Sequence, residues 1–122
     1  MAEHNIIGQK GEALAVAYLR SKDYTILETN WRHKRAEVDI IAKDGQVLVF
    51  LEVKTRTSDY FGQPEEAITP KKQSLIADAA AVYMGLIGHN WEIRFDYISI
   101  LYKDQDNFKL RHFRDTFFPG LF

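Results

Sequence analysis

Cysteine is absent from all 122 residues. Disulfides, thiolate zinc sites and a cysteine nucleophile are therefore excluded. Long apolar runs are missing too. No stretch is long enough to span a membrane, and the first residues have no signal-peptide core, so the expected setting is cytoplasmic with no membrane partner. Excess charge of one sign is also lacking: 16 Lys and Arg face 17 Asp and Glu, a formal net charge of −1. Any nucleic-acid-binding surface must then be local. No repeat, low-complexity segment or interdomain linker breaks the chain, and nothing points to an organic cofactor. What is present is 46% hydrophobic and 27% charged residues, the balance of an ordinary globular protein. The length suits one domain, residues 1–122, with one core.

Apolar spacing predicts a helix over residues 6–21. Leu14, Ala17, Tyr18 and Ser21 share one side; Glu12, Ala15, Val16 and Leu19 share an adjoining one, with Glu12 at the head of the stripe. A turn near Asp23 and a strand from Thr25 to Leu27, extending as far as Trp31, come next. Arg32, His33, Lys34 and Arg35 read as a short basic loop. Two strands, Val38–Ala42 and Val47–Thr55, follow. Residues 58–68, with Gly62 and Pro64, read as an irregular loop. Thr69-Pro70 is a helix start, Thr as N-cap and Pro in the first turn. Leu75, Ile76, Ala79, Ala80, Val82, Tyr83 and Leu86 give that helix a broad apolar face, and Gly88 ends it. Strands at Ile93–Tyr102 and Phe108–Phe113 complete the order α-β-β-β-α-β-β. This is an α/β (α+β) pattern, a mixed sheet flanked by helices. The last six residues, 117–122, form an apolar tail expected to pack on the domain or on a partner.

The most informative segment is residues 37–54. Asp44-Gly45 is a strong hairpin signal, because a type I′ turn needs positive φ at both central positions. Taking these two as the loop, Ile41 faces Leu48, Asp39 faces Phe50 and Glu37 faces Glu52. Alternation then gathers Glu37, Asp39, Ile41, Leu48, Phe50, Glu52 and Lys54 on one face. Val38, Ile40, Ala42, Val47, Val49, Leu51 and Val53 make an apolar opposite face. Asp39 and Glu52 come out as diagonal neighbours, roughly 7 Å apart.

Charges inside such strands are costly unless they are paired or hold a metal. A hard divalent ion, Mg²⁺ or Mn²⁺, needs only one or two carboxylates and keeps several waters. Held by Asp39 and Glu52, with Glu12 completing the set, it would polarise a phosphoryl oxygen and activate water, and Lys54 would steady the attacking or developing charge. The competing reading is a salt-bridged strand, Glu52 with Lys54 or Arg56 and Asp39 with Lys34 or Arg35. Arg32, His33, Lys34, Arg35 and Arg56 flank the acid end and could form a DNA-facing rim or a solvated loop. Lys71 and Lys72 open a helix against its dipole, which suits a phosphate contact or a solvated helix end. His4, His33, His89 and His112 have no ligand spacing and read as surface residues. Asp96 reads as a structural partner for Arg94 or a loop, and Trp31 and Trp91 as core residues rather than platforms for unpaired bases.

Several stretches together resemble the YraN family of bacterial proteins. They are Gly8-Gln9-Lys10-Gly11-Glu12, Tyr18-Leu19, Asn30-Trp31-Arg32, Glu37-Val38-Asp39-Ile40-Ile41, Phe50-Leu51-Glu52-Val53-Lys54-Thr55-Arg56, Phe61-Gly62 and Arg94-Phe95-Asp96. That family is similar in core to archaeal Holliday junction resolvases and to the PD-(D/E)XK nuclease superfamily. The resemblance implies a restriction-endonuclease-like fold and a metal-dependent phosphodiesterase acting on DNA, with branched or nicked structures as candidate substrates. In that frame Asp39 matches the first strand acid, Glu52 the second, Lys54 the motif lysine and Glu12 the N-terminal helix acid that assists metal binding. A homodimer is implied by the same analogy. Ala36 departs from the pattern, since Gly usually precedes the Glu-Ile-Asp segment; this speaks against a positive-φ kink at 36. The alternative class is a non-catalytic nucleic-acid-binding or adaptor protein that keeps the nuclease fold, or a module that docks on a partner protein through the tail.

Overall fold

The computed structural model describes residues 2–57 and 69–116, with side chains from Ile6 onward. The loop expected at 58–68, with its Phe61-Gly62 pair, and the tail 117–122 lie outside the described residues. The elements are α1 (Ala2–Ser21), β1 (Thr25–His33), β2 (Ala36–Asp44), β3 (Val47–Arg56), α2 (Pro70–Ile87), β4 (Ile93–Asp104) and β5 (Asn107–Phe113), in the expected order. The strands form one sheet, β1-β2-β3-β4-β5. β3 and β4 run parallel; the other neighbours are antiparallel. A parallel pair needs a long crossover, and the chain from 57 to 92, which contains α2, provides it.

Each sheet face has its own core. On one, Ala15 and Leu19 of α1 pack on Ile40, Ala42, Val49, Leu51, Ile98 and Ile100. On the other, Ile76, Ala79, Ala80 and Tyr83 of α2 pack on Val38, Ile41, Leu48, Phe50 and Phe95. Burial of each large side chain stabilises by about 1.5–3 kcal/mol, so β2 and β3, covered on both faces, anchor the molecule. The Glu12–Leu19 stripe is the side of α1 that is buried, whereas Ala17 and Ser21 are exposed. α2 is capped as expected. The Thr69 hydroxyl accepts from Lys72 N, and Gly88 adopts φ 70 while His89 N donates to the Met84 carbonyl at 2.9 Å. Leu86, assigned to the apolar face, is instead 70% exposed.

The hairpin differs from the expected register. Asp44 stays in the ladder opposite Val47, and the pairs run Lys43↔Leu48, Ala42↔Val49, Ile41↔Phe50 and Ile40↔Leu51. The turn is therefore Gly45-Gln46. Gly45 alone has positive φ, 63°, which rules out type I′ and fits a glycine-first turn such as II′. Asp44 is kept in the strand by Arg94 of β4, whose Nη1 donates to its carboxylate at 3.1 Å. Displacing a two-residue turn by one position preserves which residues share a face, so Ile41, Leu48 and Phe50 still point the same way.

Alternation fails at Asp39. Ala36 and Val38 join the α2-side core although Ile40 and Ala42 join the α1-side core. Facing this point on β1 is Asn30, in the left-handed region with φ 53. The basic stretch 32–35 is not a loop: Arg32 and His33 end β1, and Lys34 and Arg35 form a two-residue turn with Lys34 at φ 55. The left-handed residue in this turn is Lys34, and Ala36 is ordinary strand.

A second polar cluster lies inside the sheet. Asp96 is fully buried. Arg94 Nε and Nη2 donate to its two oxygens at 2.9 and 3.0 Å, the His112 Nε2 lies 2.8 Å away, and Asp115 N donates at 3.0 Å. Tyr18 of α1 reaches His112 Nδ1 at 3.0 Å. Asp96 is thus the structural partner of Arg94, while His112 and His89 are buried rather than superficial. Trp91 is 48% exposed and covers the turn through a 2.8 Å bond to the Gln46 carbonyl, so it is not core. Trp31 is partly buried against the α2-side core, edge-on to Tyr83.

Burial alone would raise the Asp96 pKa, but the bonds from His112, Arg94 and Asp115 outweigh it and hold the carboxyl below its ordinary range. A depressed folded-state pKa contributes stability that is present above the unfolded value and lost as pH falls through the folded one. Asp96→Ala should cost about 3–5 kcal/mol at pH 7, because it strands buried donors. Urea melts at pH 7 and pH 3 will check this: the gap between wild type and variant should narrow at the lower pH.

α1 crosses β3 closely. A Cβ at Gly11 would lie 1.8 Å from Thr55 Oγ1, and Thr55 is a short, branched side chain with little room to yield. Gly11→Ala should destabilise by roughly 1–3 kcal/mol through overpacking, read from the shift in thermal midpoint.

Candidate metal centre

The β2–β3 ladder stops at Ile40↔Leu51. Continued one step, that register sets Asp39 against Glu52 rather than Phe50, and the two acids line one cleft, with the Glu52 charge acting on Asp39. The strands do not simply pair here. Asp39 Oδ2 accepts the backbone N–H of Val53 at 2.7 Å, so a side chain takes the place of a ladder bond. The end of the ladder is flanked on one side by α1, at the Gly11–Thr55 approach, and on the other by the first turn of α2.

Asp39 is partly buried, and its pKa is pushed up to about 8. Burial is the main cause and the Glu52 charge the next, against which the Val53 N–H works. Glu52 is buried. Its carboxylate is met by Lys72 Nζ, from the first turn of α2. Neither Lys54 nor Arg56 is its salt-bridge partner, and the hydrogen bond of Asp39 goes to backbone rather than to Lys34 or Arg35. The structure forms neither of the ion pairs expected from the sequence: Glu52 is paired instead by Lys72, a lysine whose place at a helix start suits a phosphate contact or a solvated end.

Glu12 is half-buried and accepts from Asn30 Nδ2 at 2.7 Å. Burial raises its pKa, the Asn30 bond opposes this, and Glu37 adds to it. It influences Asp39 through its charge. Among the described residues no three acids or histidines come together as a ligand set, so Glu12 stands back from the Asp39–Glu52 pair. Lys54, two residues beyond Glu52 on β3, is half-buried.

A cleft of about 230 Å³ opens beside the pair, lined by Arg35, Glu37, Asp39, Glu52 and Lys72, with Ala36, Leu75 and Ile76 as its apolar floor. That is below the size of a typical organic-ligand pocket, but ample for a hydrated ion and a phosphate group. The donor set suits a hard divalent ion: two carboxylates side by side, one carrying a proton at neutral pH and the other held by an ammonium, with no thiolate or imidazole. Of the six cations expected at a nucleic-acid rim, Arg35 and Lys72 line the cleft. Arg32 is tied to Glu37 at 3.2 Å. Lys34 and Lys71 are exposed beside the cleft-lining residues, and Arg56 is half-buried. The sequence reading missed Asn30 and the Val53 N–H, for which no local signal exists. It noted that Lys72 opposes the helix dipole, which is the signal for its pairing with Glu52.

No helix among the described residues is long and apolar enough to cross a membrane. The family model described as uncharacterised protein family UPF0102 matches residues 11–100, a span that contains α1 from Gly11, all three acids, Lys54 and Lys72. The chain is 47% identical over 118 residues to UPF0102 protein FP2501 of Flavobacterium psychrophilum, covering 97% of this chain and 98% of that protein. It is 48% identical to a UPF0102 protein of Christiangramia forsetii, with the same coverage. A Bacteroides fragilis relative, UPF0102 protein BF0634, is 41% identical over the full length of both chains. With a match over most of its length and relatives of this similarity, the chain belongs to the UPF0102 family, the YraN family that its motifs resemble.

Proposed function

We propose that this protein is a metal-dependent endonuclease that hydrolyses phosphodiesters in DNA, with branched or nicked structures as its substrates. The observation that supports this best is the meeting of Asp39 and Glu52 at a broken ladder, in an open cleft edged by Arg35 and Lys72. A buried acid beside a second acid costs the metal-free fold stability, and such perturbed pairs cluster at functional sites.

In this reading Asp39 and Glu52 hold Mg²⁺ or Mn²⁺, and Glu12 supports them from α1. The ion, when bound, supplies the charge that polarises a phosphoryl oxygen and acidifies water. The Val53 N–H fixes the Asp39 carboxylate through Oδ2, and among the described residues no hydrogen bond is directed at its other oxygen, which would face the ion. Lys54 steadies the charge that develops during attack. Arg35 and Lys72, with Lys34 and Lys71 beyond them, take backbone phosphates, which position a duplex without reading its sequence. Two copies of the chain act together, as in resolvase-like enzymes.

The test is cleavage of single-stranded, duplex, flap and four-way DNA in Mg²⁺ and Mn²⁺. Cutting of at least one structure, lost with EDTA, is expected; no cutting of any of them overturns the reading. The pairing of Glu52 with Lys72 favours one other reading, a nuclease fold that binds DNA without cutting it. Salt-dependent DNA binding unchanged by Glu52→Ala and by metal would select that one.

A further inference from the structure

The ion pair between Lys72 and Glu52 has an unusual origin. Lys72 lies in the first turn of α2, where a cation works against the helix dipole. That turn contains no acid to offset it, and its backbone N–H already serves the Thr69 cap. The side chain nevertheless turns into the cleft and places its ammonium on a buried carboxylate. A buried carboxylate without a counter-ion is strongly disfavoured, and no other salt bridge reaches Glu52 among the described residues. We propose that Lys72 is the internal counter-cation of Glu52, occupying the place of the metal, so that a divalent ion and the Lys72 ammonium compete for the same carboxylate.

This rests on the metal-binding reading above and adds a regulation to it. The lysine side chain is 40% exposed against 9% for Glu52, so it has solvent to move into and the acid does not. When an ion arrives, Lys72 is released to the rim of the cleft beside Arg35, where a phosphate would hold it away. Metal and DNA backbone would then favour one another: the ion frees the lysine, and the phosphate keeps it from returning.

The experiment is calorimetric titration of the metal-free protein with MnCl₂ at fixed pH, for wild type, Lys72→Met, Lys72→Gln, Lys109→Met and Glu52→Gln. Lys72→Met and Lys72→Gln should bind Mn²⁺ about fivefold more tightly than wild type, the worth of one partly exposed ion pair. Lys109→Met, an exposed β5 position outside the cleft lining, should bind as wild type, and Glu52→Gln should lose binding. A second readout is the thermal midpoint. Metal-free Lys72→Met should melt below wild type, and saturating Mn²⁺ should raise its midpoint by more than it raises that of wild type. Binding that depends on Glu52 but is unchanged or weakened in both Lys72 variants would overturn the competition and leave the metal reading standing. Absence of any Glu52-dependent Mn²⁺ binding, in wild type and variants alike, would overturn both.

Discussion

Asp39→Asn is expected to make the metal-free protein more stable at pH 9 than wild type while removing divalent-ion binding. In the folded chain the Asp39 pKa stands at about 8 against an ordinary 3.8. The folded state therefore holds a proton that the unfolded chain has lost throughout that window. Stability then falls as pH rises from about 4 to about 8 and is level above, because the folded protein must give up the proton and carry a partly buried carboxylate beside Glu52. An amide keeps an oxygen for the Val53 N–H and has no charge to desolvate. The variant should gain on the order of 1–3 kcal/mol above pH 8, less than the whole shift would suggest because the carboxyl retains some contact with water. The gain should vanish near pH 4. Chemical melts of both proteins across pH 4–9 measure it. The same proton must leave before Asp39 can take a metal, so wild-type Mn²⁺ affinity should climb with pH up to about 8 and then flatten. A variant less stable than wild type at pH 9 would mean that Asp39 is there to hold the fold.

Cleavage should fall by at least about 10²–10³-fold in Glu52→Gln and in Lys54→Ala, the usual cost of losing one charged group at a phosphoryl-transfer or hydrolytic centre. The two should fail in different ways. Glu52→Gln removes a ligand, so raising Mn²⁺ should restore part of its rate. Lys54→Ala leaves the carboxylates intact, so its loss should not respond to metal and should appear in kcat rather than KM. Circular dichroism at 25 °C should show both folded. Glu52→Gln will be the weaker fold, since Lys72 loses its partner, and Lys54, half-buried, should be close to neutral. Single-turnover assays with excess enzyme separate these patterns from simple loss of DNA binding.

The order of elements and the identity of the acidic hairpin were legible because each rests on local chemistry. Period-two runs mark the strands, Thr69-Pro70 and Gly88 bound α2, and the Ala15–Leu19 stripe marks the buried side of α1. The register was displaced because Asp44-Gly45 was read as a local unit, whereas Asp44 answers to Arg94, fifty residues away in β4. The consequence for the site is favourable: the turn moves by one residue, and the register, continued past Ile40↔Leu51, sets Asp39 against Glu52. The break in alternation at Asp39 could not be read locally either, since it accompanies a left-handed Asn30 on the neighbouring strand. His112, Trp91 and Leu86 were misplaced for a similar reason. The first is drawn inward by Asp96, the second is held out over the turn by the Gln46 carbonyl, and the third lies past the last turn of α2 that the sheet covers. Lys72 is the case in between: its awkward place at a helix start was visible in the sequence, but the carboxylate that explains it was visible only in the fold.

The most direct measurement is an anomalous difference map from crystals of the full-length protein grown with Mn²⁺. A single strong peak is expected between the Asp39 and Glu52 carboxylates, with the Lys72 ammonium withdrawn from Glu52 toward the rim of the cleft. A map with no peak there, and Lys72 still seated on Glu52 at saturating Mn²⁺, would contradict it.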